Sequence, residues 1–286
     1  MLLGLILLWS TSFIFIEISL ESFSPLGIVA VRLLLGAVIL SCVLIYKGLT
    51  LPRDYLSWLV LLVFGIFGTT LPFYLISVGQ QSITSGMAGL LMAVMPLATM
   101  ILAHYFVPGE RLNRYKLLGF VMGISGVLFV LYPAIQSSQN SAIGIFIVLM
   151  ASLSYGLNSV LVRRLPSFDP IVAGAGTLII SSLLIVPVWL VRELPWQRAY
   201  QEDAFWSLLW LGLGPTGFAM LLYFLIIGRA GPTFLANINY VIPVLAYFAG
   251  ALLLGEIIDM TSIAALALIL IGVAVTRYTP TQTSTS

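Results

Sequence analysis

The sequence predicts an all-α integral membrane protein of ten transmembrane helices, arranged as two inverted five-helix repeats. Three observations carry this reading. The 286-residue chain is 60% hydrophobic and 8% charged, with a mean hydropathy of +1.13, against about 25% charged residues in an ordinary soluble domain. Its lysines and arginines gather on alternate connections between apolar stretches. Five signals of the first half recur, in order, in the second.

The apolar stretches cover 2–19, 26–46, 55–78, 83–106, 115–132, 141–162, 170–191, 205–227, 233–254 and 260–277. At 1.5 Å per residue, about 20 residues cross a hydrocarbon core of roughly 30 Å. The first stretch has no basic n-region and has a counterpart in the sixth, so it reads as a mature helix rather than a signal peptide. Strict apolar/polar alternation is missing, which removes a β-barrel as a serious rival. The polar tail 279–286 is expected to be disordered.

The repeat is read from pairs. Ser22-Phe23-Ser24-Pro25 recurs as Ser167-Phe168-Asp169-Pro170, Tyr74…Gly79 as Tyr223…Gly228, and Pro96 as Pro243. Gly109-Glu110 recurs as Gly255-Glu256, and Gly126-Val127…Tyr132 as Gly272-Val273…Tyr278. All five separations fall between 145 and 149 residues. The repeat units are therefore 1–132 and 141–278. With five spans in each, the second must enter the bilayer inverted, a construction that many transporters use to build two conformations around one midplane site.

Orientation follows from charge. Connections after even-numbered spans carry Lys47, Arg53, Arg111, Arg114, Lys116, Arg163, Arg164, Arg229 and Arg277, whereas the odd ones carry only Arg192 and Arg198. Nine against two places both termini in the cytoplasm by the positive-inside bias. The net charge of +2 then marks topology and points to no nucleic-acid partner. Cys42 is alone, so neither an intrachain disulfide nor a multi-cysteine metal site is expected. No Walker loop, HExxH, nucleophile elbow or carboxylate pair inside a span is present, so an enzyme, a cofactor and a bound metal are not expected.

Taken in order, the spans offer these candidates. Span one carries Trp9-Ser10-Thr11-Ser12 near mid-depth, and Glu17 near its outer end. Arg32 lies about two turns into span two, where Glu17 can pair with it as a polar clamp, with gating or a substrate contact as the alternative. Thr70, Tyr74 and Ser77 form a stripe beside Pro72 on span three. Span four has Pro96, bracketed by Met87, Met92 and Met95, and His104 near its cytoplasmic end. That histidine reads as a hydrogen-bonded helix-end residue, with substrate binding, gating or proton sensing as the alternatives. Gly119, Gly123 and Gly126 on span five read as a packing face. Tyr155 and Asn158 share a face of span six, three residues apart.

Trp189, Trp196, Tyr200, Trp206 and Trp210 cluster around the long seventh connection and suit the membrane–water interface. Span eight has Pro215, Thr216 and Tyr223; span nine has Asn237, Tyr240 and Tyr247 flanking Pro243. Polar groups in lipid must find partners, so these stripes are expected to face inward. Trp9, Ser12, Tyr74, Tyr155, Asn158, Tyr223, Asn237 and Tyr240 are the expected lining of a substrate cavity. Pro96 and Pro243 are the expected helix kinks, because proline removes a backbone donor.

These features together resemble the drug/metabolite transporter superfamily, in its branch with two EamA domains, over essentially the whole chain. The subgroup that the sequence most resembles is the YddG-type aromatic amino-acid exporters. The resemblance implies a central cavity from spans one to four and six to nine, supported by spans five and ten. It implies export of amino acids and related metabolites across the bacterial inner membrane by alternating access, with the small-molecule substrate and the bilayer as partners and a monomer or weak dimer as the assembly. The alternatives are a multidrug exporter of lipophilic cations, disfavoured by the lack of an Asp or Glu at mid-depth, and a sugar-phosphate or nucleotide-sugar exchanger, which would want more cations than Arg32 inside the cavity. Ser10 faces Gly156 and Arg32 faces Thr177 across the repeat, so the site is not expected to be strictly two-fold.

Overall fold

The computed structural model describes residues 1–134, 141–223, 225–226, 229 and 238–276. Asn237, the paired signals Gly228 and Tyr278, and the tail 279–286 lie outside the described residues. Among the described residues ten apolar helices follow one another: α1 Leu2–Leu20, α2 Pro25–Tyr46, α3 Tyr55–Gly79, α4 Ser85–Phe106, α5 Arg114–Ala134, α6 Ala142–Arg164, α7 Pro170–Glu193, α8 Glu202–Tyr223, α9 Ile238–Leu254 and α10 Met260–Thr276. No strand occurs among the described residues. The first eight are long and apolar enough to cross a membrane. The last two are shorter apolar helices of 17 residues each.

Local chemistry sets the starts. Ser24 caps α2 by accepting from the Gly27 N–H (3.0 Å), and Asp169 caps α7 by accepting from Ile171 N–H (2.9 Å). A proline follows each cap, where its missing N–H costs nothing. The Ser-Pro and Asp-Pro signals of the repeat are thus the same helix start used twice. Asp54 caps α3 through Ser57 N–H (2.8 Å), and this bond holds the exposed Asp54 carboxyl below its ordinary range. Gly109 and Gly255 both adopt positive φ, at 86° and 69°, a left-handed turn that glycine enters without strain. Gly255 directly follows α9 and ends it, whereas Gly109 lies in the Val107–Glu110 turn beyond the extended cap of α4.

Hydrogen bonds sort the connections into two ends. Ser141, just before α6, donates its N–H to Ser82 in the α3–α4 turn (2.9 Å). Ser22, just after α1, accepts from the N–H of Gln201 before α8 (3.1 Å), and Glu17 accepts from Ser85 N–H at the start of α4 (2.7 Å). The end of α1 and the beginning of α6 therefore share one end of the bundle, and these repeat-equivalent helices run antiparallel. The other, basic end holds Glu110 with Lys116 (3.1 Å) and Arg163 (3.4 Å).

The packing obeys the same symmetry. α2 packs on α7, α4 on α9 and α5 on α10, each helix against its own repeat-mate. Three further contacts come as exchanged pairs: α1–α9 with α6–α4, α1–α8 with α6–α3, and α2–α8 with α7–α3. A two-fold axis between antiparallel mates lies in the membrane plane, which is the inverted repeat. Small residues make the closest approaches. A methyl group at Gly119 would meet the Gly272 carbonyl, and one at Gly126 would lie 2.8 Å from Ala265 O. Gly119 and Gly126 of α5 thus form the seam with α10, while Gly123 makes room for Leu97 of α4.

Candidate functional site

Two of the ten helices are widened where the repeat puts them opposite each other. α3 becomes π-helical over Ile66–Thr70 and α8 over Gly212–Phe218. Glycine and proline bracket both segments: Gly65, Gly68 and Pro72 in one, Gly212, Gly214, Pro215 and Gly217 in the other. Proline interrupts the i→i−4 ladder and glycine lets neighbours approach, so the turn widens. The carbonyls set loose here are taken by side chains from α1 and α6. Trp9 Nε1–H donates to Pro215 O (3.1 Å), and Ser154 O–H donates to Phe67 O (2.9 Å). Thr216 Oγ1–H returns to Leu211 O (2.8 Å).

α4 is also interrupted. A 3₁₀ turn at Met92–Val94 precedes Pro96, and Ser152 of α6 donates to Leu91 O just before it (3.1 Å). Pro96 follows this turn after Met95. Pro243 lies within α9, which is α-helical throughout Ile238–Leu254, and the repeat-related pair of irregular helices is α3 and α8.

Arg32 sits among the inner faces of α2, α3, α6 and α8, 4% exposed. Its Nε–H donates to Thr216 Oγ1 (3.2 Å), and its guanidinium carbon lies 4.0 Å from the centre of the Phe73 ring. Tyr155 is near enough to interact with it electrostatically. The pairing open to Glu17 and Arg32 is not formed. Glu17 turns instead to the start of α4, where its carboxylate and that of Glu256 both accept from Ser85 N–H, at 2.7 and 2.9 Å. Glu256 also accepts from Gly86 N–H (2.9 Å) and from the Ser85 hydroxyl. The N-terminus of a helix offers unpaired N–H groups and a positive dipole end, and here that attraction outweighs a reach to a cation on the next helix. The repeat-mate of Glu256, Glu110, binds Lys116 and Arg163 instead.

The expected cavity residues separate into those that converge and those that do not. Trp9 and Tyr223 meet with ring centres 5.8 Å apart. Asn158 lies against Gly68, which leaves room for its amide where a Cβ would be 2.6 Å from Nδ2. Asn158 Oδ1 and Thr70 Oγ1 are buried with no hydrogen-bond partner among the described residues. Thr70 is one turn from Phe73 on α3, and Asn158 one turn from Tyr155 on α6; both steps lead toward the basic end. Ser12 is buried and returns its hydroxyl to Trp9 O (2.7 Å). Tyr240 is half-buried, whereas Tyr74 is 42% exposed and turns away from this group. His104 braces the α4–α5 connection, with Nδ1 3.2 Å from Glu110 O and 3.3 Å from Leu112 N, rather than facing the Arg32 group. Tyr247 OH accepts from Asp259 N–H (3.2 Å), which ties α9 to the turn after it.

Phe73 has no distinguishing mark in the sequence, and the Gly-Glu signal marks Glu256 only as part of the repeat, not as a partner of α4. Phe73 is one of 16 phenylalanines; only the packing of α2 on α3 singles it out. A separate apolar cavity of about 160 Å³ lies at the non-basic end between Phe23, Val31, Trp189, Pro195 and Phe205, with Tyr200 stacked on Phe23 at 4.1 Å. It draws Trp189, Tyr200 and Phe205 together from around the seventh connection.

Known proteins agree with this architecture. The chain is 28% identical over 289 residues to the uncharacterized transporter YoaV of Bacillus subtilis, covering 97% of each chain. It is 23% identical to the uncharacterized inner membrane transporter YedA of Escherichia coli, over 95% of this chain and 88% of that one. A solved structure described only as "Crystal structure of protein" superposes with a TM-score of 0.66 at 21% identity, covering 96% of this chain and 95% of the other. The EamA-like transporter family matches residues 1–132 and 142–278, one match for each half of the bundle. The chain belongs to the EamA-like transporter family, within the drug/metabolite transporter superfamily.

Proposed function

We propose that this transporter exports amino acids and related small metabolites across a bacterial inner membrane by alternating access, with affinity to the YddG-type exporters of aromatic amino acids. One observation carries the reading: buried polar atoms without partners, Asn158 Oδ1 and Thr70 Oγ1, beside aromatic rings and a widened turn of α3. Leaving such atoms unpaired costs about 1–3 kcal/mol each, a cost that a polar, partly aromatic cargo offsets on binding. An amino acid brings donors and acceptors in a form with no net charge. A lipophilic cation would need a carboxylate inside the bundle, and both inward carboxylates, Glu17 and Glu256, are engaged at the start of α4.

Purified protein in liposomes should move neutral amino acids, aromatic ones included, and not quaternary ammonium compounds or sugar phosphates. Asn158→Ala should slow that flux several-fold, as the loss of one hydrogen bond worth about 1 kcal/mol implies. Robust flux of a quaternary ammonium compound with no amino-acid flux would replace this reading by the multidrug one. The proposed orientation has both termini in the cytoplasm. In a Cys42→Ala background, a cysteine at position 81 should react with an impermeant maleimide from outside whole cells, and one at position 112 only after permeabilisation. The reverse pattern would invert the assignment.

A further inference from the structure

Arg32 is a buried cation with most of its hydrogen-bonding capacity unused. A guanidinium has five N–H donors in a planar fork. One, on Nε, goes to Thr216. The four on the two Nη atoms find no acceptor, and no carboxylate pairs with the group, among the described residues. A charge 96% removed from solvent is stable only when paired or hydrogen-bonded, and the contact with the Phe73 face meets that need in part. The inward carboxylates Glu17 and Glu256 are fixed elsewhere by backbone N–H groups. One helical turn toward the basic end, about 5 Å along α3 and α6, lie the unpartnered acceptors Thr70 Oγ1 and Asn158 Oδ1.

We propose that the free edge of Arg32 is the anion subsite of the transport path, and that it takes the carboxylate of the cargo. Two parallel N–H donors match the two oxygens of a carboxylate. A single cation neutralises a monoanion, whereas a phosphate monoester would leave a buried negative charge. Thr216 fixes the rotation of the guanidinium from one side, Phe73 covers its face, and Tyr155 stands beside it. The ammonium of an α-amino acid then reaches toward Asn158 and Thr70, which supply acceptors. Cargo without a carboxylate leaves Arg32 unpaired and is rejected. The assignment rests on the reading of the chain as a carrier of small polar metabolites, and it adds the group by which they are recognised.

Calorimetric titration of the purified full-length protein in detergent tests it with two matched series: phenylalanine, 3-phenylpropionate and phenethylamine; and leucine, 4-methylpentanoate and isopentylamine. Phenyl phosphate serves as the phosphate probe. The amino acid and the free acid should bind in at least one series, the amine at least roughly 10-fold more weakly, and phenyl phosphate not at all. Arg32→Gln should weaken both carboxylates by about 10- to 100-fold and leave amine binding unchanged, since hydrogen bonds to a charged group are lost. Arg32→Lys, which keeps the charge without the fork, should fall between. A residue with only a packing role would lower every affinity alike and leave the acid-to-amine ratio unmoved. Amines binding as tightly as acids, tighter phenyl phosphate, no carboxylate binding, or carboxylate affinity that survives Arg32→Gln would each overturn the assignment. If Arg32→Gln does not fold, the wild-type series and Arg32→Lys still decide. Binding of the free acids without the amino acids would leave Arg32 as the anion site and defeat the amino-acid reading above.

Discussion

Gly119→Val should all but abolish the folded transporter. The α5–α10 seam brings backbone to backbone, and a side chain at Gly119 meets the Gly272 carbonyl, while one at Gly272 would lie 2.6 Å from Gly119 O. Carbonyl oxygens fixed in helices cannot step aside as a flexible side chain can, so the two helices must part along their length. Overpacking of a tight contact typically costs 1–3 kcal/mol. Here the displacement also opens the contacts of Gly126 with Ala265 and Ile269, which raises the expected loss to roughly 3 kcal/mol or more. Thermal unfolding followed by size-exclusion chromatography checks this, with Leu128→Ala on the same helix as control. Leu128 is 56% exposed, and its truncation should change stability by less than about 1 kcal/mol. A Gly119→Val protein as stable as that control would show that α5 and α10 do not pack through this face.

Glu256→Ala should open the non-basic end of the bundle. The Glu256 carboxylate accepts from Ser85 N–H, the Ser85 hydroxyl and Gly86 N–H, at the first turn of α4. Gly86 and Gly250 admit it: a methyl at either would lie 2.7 or 2.6 Å from its oxygen. Hydrogen bonds to a charged group contribute about 1.5–3 kcal/mol each. Glu17 remains to accept from Ser85 N–H, so the net loss is expected on the order of 3 kcal/mol. A cysteine replacing Ile83, 4% exposed in the wild type, should then become markedly more reactive toward a maleimide. Unchanged melting temperature and unchanged reactivity at position 83 would mean that the Glu256 contact does not hold this end. Gly86→Ala, which pushes on the same carboxylate, should act in the same direction.

The repeat was readable because it is written in residues with strong local preferences. A cap followed by proline starts α2 and α7, and a glycine at positive φ ends α9 and shapes the turn after α4. Such signals act over a few residues, so a sequence states them directly. The ten spans and their antiparallel mates follow from hydropathy and an odd count, and the glycine face of α5 from the spacing of three small residues.

The site was only partly readable, for an equally physical reason. Tyr155, Asn158, Thr70 and Trp9 stood out as polar residues in apolar helices, and the bundle places them inside. Pro72 and Pro215 were visible too, yet whether a proline bends a helix, breaks it or widens it depends on which neighbour takes the freed carbonyl. Trp9 and Ser154 take those of α8 and α3, while α9 runs through Pro243 unbroken. Charge partners were the least legible. Glu17 and Arg32 are close along the sequence of adjacent helices, but rotation about each helix axis decides what a side chain meets. Hydrophobic patterning determines that rotation weakly when a helix is apolar on every side. The sequence by itself therefore determined the membrane class, the helix order and the inverted repeat, all of which rest on local and one-dimensional preferences. Only the tertiary structure decided that Glu17 closes the start of α4 with Glu256 and that Arg32 keeps its donors free beside Phe73, because both depend on helix rotation across gaps of a few ångströms.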